Sequence, residues 1–145
     1  MDIVQRFLNY TKINTTTNRA AGAAGIMPSN PKELELAGLI KGELEALGIK
    51  NISLSEKSIL IAKIPSNLDA PAARVAFFAH LDTSAEQTND TKAQIVRYEG
   101  GDIRLNKELE IYLKESENEE LRDYKGDEII VTDGTSLLGA DDKAA

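Results

Sequence analysis

Two clusters of side chains in this 145-residue chain could do chemistry. In the first, the apolar run Val75-Ala76-Phe77-Phe78-Ala79 ends in His80, the only histidine, and Asp82 follows before the polar residues Thr83 and Ser84. Side chains alternate along a strand, so His80 and Asp82 point the same way at its C-terminal end. That is the edge at which α/β sheets bind ligands. An imidazole and a carboxylate on one face suit a metal ligand and the group that orients it. Asp82 can accept from one ring nitrogen and leave the other for the metal. A structural histidine beside a buried strand and a turn aspartate fit the same residues. The second cluster is Gly139-Ala140-Asp141-Asp142-Lys143. Two divalent cations ~3.5–4 Å apart need an anion between them, which an aspartate provides. Lys143 would partly balance the pair. An acidic helix start is the alternative reading, because carboxylates favour helix N-termini.

Composition narrows the chemistry. With no cysteine, disulfides and thiolate metal sites are excluded, so any metal must be held by His, Asp or Glu. The net charge of −7, without a basic stripe, predicts no nucleic-acid partner. No apolar run approaches the ~20 residues that span a bilayer, so no membrane partner is expected. The start of the chain lacks a signal peptide's basic and apolar segments, which predicts a cytoplasmic protein. Neither a phosphate loop nor a Gly-x-Ser-x-Gly elbow occurs.

The elements that must position these clusters follow from periodicity. Ile3, Val4, Phe7 and Leu8 predict a helix over residues 2–11, and residues 14–30 read as a loop. Asn30, Pro31 and Glu33 predict a capped helix start. Leu36, Leu39, Ile40, Leu44 and Leu47 form its apolar stripe, and Gly48 ends it. Residues 49–54 and 58–64 read as strands joined by Ser55-Glu56-Lys57. The apolar stretch 74–79 reads as a strand buried on both faces. Edge strands are expected at 94–97 and 103–105, a solvated helix near 109–121, and a buried strand at 128–132. The acidic run 115–120 reads as a solvated face, and Ala144-Ala145 as the start of a helix. The order predicts an α/β fold, a mixed sheet with flanking helices.

On these residues the chain resembles the co-catalytic zinc peptidases, the family of acetylornithine deacetylase and succinyl-diaminopimelate desuccinylase. Residues 75–84 match its first signature, and Gly139-Ala140-Asp141-Asp142-Lys143 matches its bridging-aspartate motif. Longer runs point to the tripeptide aminopeptidases within it. They include Arg6-Phe7-Leu8-Asn9-Tyr10, Leu54-Ser55-Glu56-Lys57, Gln94-Ile95-Val96, Gly100-Gly101-Asp102-Ile103 and Thr132-Asp133-Gly134.

The resemblance implies that His80 binds one zinc, that Asp82 orients His80, and that Asp141 bridges two zinc ions. It implies a cytoplasmic hydrolase that releases the N-terminal residue of a tripeptide by metal-activated water. A homodimer is implied for the full-length protein. Residues 1–145 would be the N-terminal segment of the catalytic domain, incomplete and inactive alone. The general base, the remaining ligands and the lid or dimerisation domain would lie beyond Ala145. A non-catalytic remnant and another amidohydrolase, such as a deacylase, are the alternatives. Strands left without covering helices would expose apolar surface and make the isolated chain prone to aggregate.

Overall fold

The computed structural model describes residues 2–86 and 89–144. Helix α1 (Ile3–Thr11) starts where the Asp2 carboxylate accepts from the Gln5 N–H at 2.8 Å. Helix α3 (Lys32–Ala46) starts on the predicted capping box. Asn30 Oδ1 accepts from the Lys32 N–H, and Glu33 Oε1 accepts from the Asn30 N–H, each at 3.0 Å. The helix ends on Gly48 at φ +86°, with the Ile49 N–H bonded to Leu44 O at 3.1 Å. That closure satisfies a last-turn carbonyl and needs the left-handed backbone glycine adopts readily. The short α2 (Arg19–Ala23) lies inside the expected loop, its start held by the Asn18 side chain accepting from the Ala21 N–H. Five residues are too few for hydrophobic periodicity to reveal.

Helices α1 and α3 meet at Glu43. The Tyr10 hydroxyl donates to Glu43 Oε2 at 2.8 Å, and Arg6 Nε lies 2.8 Å from the same oxygen. Burial first, then the Glu43 bond, pushes the Tyr10 hydroxyl up to about 12. Leu36 and Ala37 of α3 are buried.

The fold is α/β, but the described strands form three antiparallel pairs and no mixed sheet. Strands β1 (Asn51–Leu54) and β2 (Leu60–Lys63) make the expected hairpin, with Ser58 at φ +60° in the turn. Strand β3 (Gln94–Arg97) pairs with β6 (Glu128–Val131), and β4 (Ile103–Asn106) with β5 (Ile111–Leu113). Gln94 Nε2 joins the last two pairs, donating to Leu105 O and Thr132 O. Between them sits the core of Tyr98, Ile103 and Leu121, packed by Val96, Leu105, Leu113 and Ile129. Among the described residues no helix is long and apolar enough to cross a membrane.

The helix expected over 109–121 does not form. Ile111 and Leu113 face inward while Tyr112 is exposed, a period of two that belongs to a strand, and a 3-10 helix follows at Glu119–Tyr124. Nor is the acidic run wholly a solvated face. Glu115 accepts from the Tyr98 hydroxyl at 2.6 Å, the Gly101 N–H at 2.8 Å and Arg122 Nε at 2.9 Å. The Tyr98 and Arg122 bonds, then the Gly101 N–H, hold its carboxyl down at about 2.

The buried strand expected at 74–79 is also absent. Val75, Phe77 and Phe78 are 78%, 96% and 94% exposed, and these residues join no ladder. A strand apolar on both faces needs neighbours on both edges. Every described strand is already paired elsewhere.

Two outcomes follow. Because the folded Glu115 carboxyl lies below its ordinary 4.5, its stabilisation is present above that value and is lost as pH falls toward about 2. Glu115→Gln should therefore lower the urea midpoint at neutral pH and flatten its acid dependence; an unchanged acid limb would refute the role. Phe77→Ser with Phe78→Ser should reduce light scattering by concentrated protein. Equal scattering would show that the run does not drive association.

Candidate metal centre

Three stretches distant in sequence build the site: residues 15–17, 80–83 and 139–143. The first two run side by side. Thr17 N–H donates to Thr83 O, and Thr83 N–H to Thr15 O, each at 3.0 Å, a short parallel bridge centred on Thr16 and Thr83. Asn30 secures the first stretch from the start of α3, its Nδ2 donating to Asn14 O and Thr16 O. The third is led in by residues 135–137. Thr91 Oγ1 donates to Leu137 O at 3.0 Å and Asn89 Nδ2 to Thr135 O at 2.9 Å. Gly139, at φ +66°, then turns the chain into α4 (Ala140–Ala144).

His80 and Asp82 lie together as their spacing predicts. His80 Nδ1 is 2.9 Å from Asp82 Oδ1. The other carboxylate oxygen, Oδ2, accepts a short bond from the Thr17 hydroxyl, which also reaches Thr83 O at 2.8 Å. The ring is thus fixed through Asp82 to Thr17. On its far side, His80 Nε2 lies 3.3 Å from Asp142 Oδ1. Asp141 is exposed. The structure therefore joins His80 to Asp82 and Asp142, and Asp141 forms no ion pair with His80.

Lys143 does not sit over the acidic pair. It is 8% exposed, and its ammonium donates a short bond to Thr15 Oγ1 and a second, at 3.3 Å, to Leu81 O. The Thr15 hydroxyl in turn donates to Leu81 O at 2.7 Å. Neither Thr15 nor Thr17 was singled out by sequence. Their one signal is three consecutive hydroxyl residues, Thr15-Thr16-Thr17, soon after a helix, which reads equally well as a polar loop.

The electrostatics follow the contacts. The hydrogen bond to Asp82 raises the His80 imidazole above its ordinary 6.5; partial burial opposes this, and the Asp82 and Asp142 charges reinforce it. Burial pushes the Asp82 carboxyl up, but the bonds from Thr17 and His80 outweigh it and leave the group below its usual range. Burial pushes the Lys143 ammonium down to about 8 against the attraction of Asp142 and Asp82.

The donor set fits zinc in kind. Ligands ~2.0–2.1 Å from one tetrahedral zinc stand about 3.3 Å from each other. His80 Nε2 and Asp142 Oδ1 stand 3.3 Å apart, with the other ring nitrogen held by a carboxylate as zinc-binding histidines require. In number the set is short. Among the described residues no three His, Asp or Glu side chains converge as a metal-holding group. Beside Asp82 opens a cleft of about 360 Å³ lined by Thr17, Ile26, Met27, Ser29, Glu33 and Asp82. Its two carboxylates favour a cationic group.

The buried ammonium makes a pH test. Between about 8 and its ordinary 10.5 the unfolded chain holds a proton on Lys143 that the folded chain has released, so stability rises with pH across that window. The urea midpoint of the wild type relative to Lys143→Met should rise between pH about 7 and about 9.5. A pH-independent difference would show that the ammonium is not desolvated.

Comparison with known proteins bears on this geometry. No protein-family model matches the chain. It is 41% identical over 145 residues, 99% of its length, to a protein named peptidase T from Clostridium botulinum (strain Hall). It is 45% identical over 141 residues, 97% of its length, to a protein named peptidase T from Fusobacterium nucleatum. The chain spans 35% and 34% of those proteins, about a third of the curated relatives it matches. Over nearly its whole length, then, this α/β chain is a homologue of proteins named peptidase T.

Proposed function

We propose that these 145 residues are the N-terminal part of the catalytic domain of a zinc-dependent tripeptide aminopeptidase. The single observation that carries the reading is the Thr17–Asp82–His80–Asp142 array. A histidine held at one ring nitrogen by a carboxylate, in a chain similar to proteins named peptidase T, supports the reading. Zinc bound there would supply a water acidic enough to attack at neutral pH and a positive charge for the oxyanion.

The residues of this chain have separable tasks. His80 would bind one ion through Nε2, and Asp82 would hold the ring's other nitrogen and set its direction. Asp142 stands where it can share the ion at His80. Asp141 would bridge the two ions, the role that the resemblance gives it. The acidic cleft at Asp82 and Glu33 suits the free ammonium by which an aminopeptidase recognises the start of a peptide. The other ligands and the general base would come from residues outside these 145.

The experiment is a chimera in which these residues replace the matching third of the Fusobacterium nucleatum protein. It should hydrolyse tripeptides when loaded with zinc, and His80→Ala or Asp141→Ala should reduce this to background. Asp82→Asn should cost roughly 10–100-fold, because it disturbs only the orientation of a ligand. In the 145-residue chain by itself, tripeptide turnover should not exceed that of His80→Ala. Asp142→Ala should weaken zinc binding by this chain as much as His80→Ala does. Hydrolysis of acylated amino acids in place of tripeptides by the folded chimera would replace the aminopeptidase reading with a deacylase.

A further inference from the structure

We propose that Thr17 is a positioning residue: by fixing the Asp82 carboxylate it places the proton of the neutral His80 ring on Nδ1 and keeps Nε2 unprotonated. The use of Nε2 as a metal ligand rests on the reading above; the placement of the proton does not.

His80 lies between two carboxylates. Its Nδ1 is 2.9 Å from Asp82 Oδ1, and its Nε2 is 3.3 Å from Asp142 Oδ1. A neutral imidazole carries one N–H and an ionised carboxylate can only accept, so the two aspartates compete for a single proton. The outcome decides which ring nitrogen keeps a lone pair for a ligand. The shorter contact favours Asp82, provided that its carboxylate stays turned to the ring.

Nothing within the Asp82 side chain ensures this. The torsion that turns a carboxylate about its last bond is broad and holds no single orientation. The side chain is also 39% exposed, so water can draw it away from the ring. Thr17 supplies the restraint, because its hydroxyl donates to Oδ2, the oxygen that His80 does not use. Bonds at both oxygens fix the carboxylate. The hydroxyl is itself held in place by its backbone. Thr17 N–H is bonded to Thr83 O, and Asn30 Nδ2 holds Thr16 O from the start of α3. The hydroxyl also reaches Thr83 O at 2.8 Å, but that carbonyl already accepts from the Thr17 N–H, and the charged acceptor makes the stronger bond. Without the hydroxyl, Asp82 is free to turn, and the proton passes to Nε2 on the side of Asp142, where it blocks that nitrogen.

His80 is the only histidine, so the ring gives a single pair of nitrogen resonances. The test records them by NMR in the metal-free 145-residue chain, at a pH above the ring's titration, for the wild type, Thr17→Val, Thr17→Ala and Thr17→Ser. The wild type should carry its proton on Nδ1. Thr17→Val and Thr17→Ala lose the hydroxyl and keep the backbone bonds, and should lower the ratio of Nδ1–H to Nε2–H roughly 10-fold. Thr17→Ser keeps the hydroxyl and should restore the wild-type ratio, a return that general loosening of the chain would not produce. A wild-type proton on Nε2, or an unchanged ratio in either variant that lacks the hydroxyl and folds, would overturn the proposal. Zinc uptake is read separately, by competition with a chromophoric chelator. A wild type with its proton on Nδ1 that takes up no zinc would refute the metal reading and leave the role of Thr17 supported.

Discussion

The burial of the Lys143 ammonium is the interaction on which the site depends. Among the described residues it is the one charged side chain classed with the buried groups. Taking an ammonium out of water is costly unless its protons find acceptors. The acceptors here come from Thr15 and Leu81, in two stretches far from Lys143 and from each other in sequence. Satisfying that one cation therefore requires the three stretches to converge. The same convergence leaves His80 in contact with both Asp82 and Asp142.

The rest of the chain divides into a part that steadies this junction and a part that is a separate packing unit. Helix α3 steadies it from one side, because Asn30, which caps that helix, also holds the carbonyls of Asn14 and Thr16. The Tyr98–Glu115–Arg122 cluster steadies nothing at the site directly. It closes the core beneath β3, β4, β5 and β6, and β6 leads into the segment that delivers α4. One carboxylate with three donors organises that core much as one ammonium organises the site.

Local features were legible in the sequence, and long-range partners were not. The capping box at Asn30 and Glu33, the Gly48 terminus and the hairpin around Ser55-Glu56-Lys57 are written in neighbouring residues, and each stands where it was expected. The His80–Asp82 contact was legible for the same reason, since alternation brings i and i+2 together. A strand at 74–79 was not secured by its own apolarity, because a strand also needs edges to pair with. The helix expected near 109–121 failed because the charges there masked the alternation of Ile111, Tyr112 and Leu113. Thr15, Thr17 and the seat of Lys143 were hidden, since nothing local distinguishes a hydroxyl that will be buried against a distant carbonyl from one in a polar loop.

The chain of bonds from Thr17 through Asp82 to His80 would also change the thermodynamics of taking up the proposed ion. A free surface imidazole samples several rotamers and must give them up on binding. Here that loss is incurred when the protein folds. Immobilising a side chain at the moment of binding costs roughly 0.5–1.5 kcal/mol. A ring already held at Nδ1 would avoid part of that cost on binding an ion. Thr17 would then raise the affinity for an ion bound at His80 by narrowing the motion of a residue two contacts away.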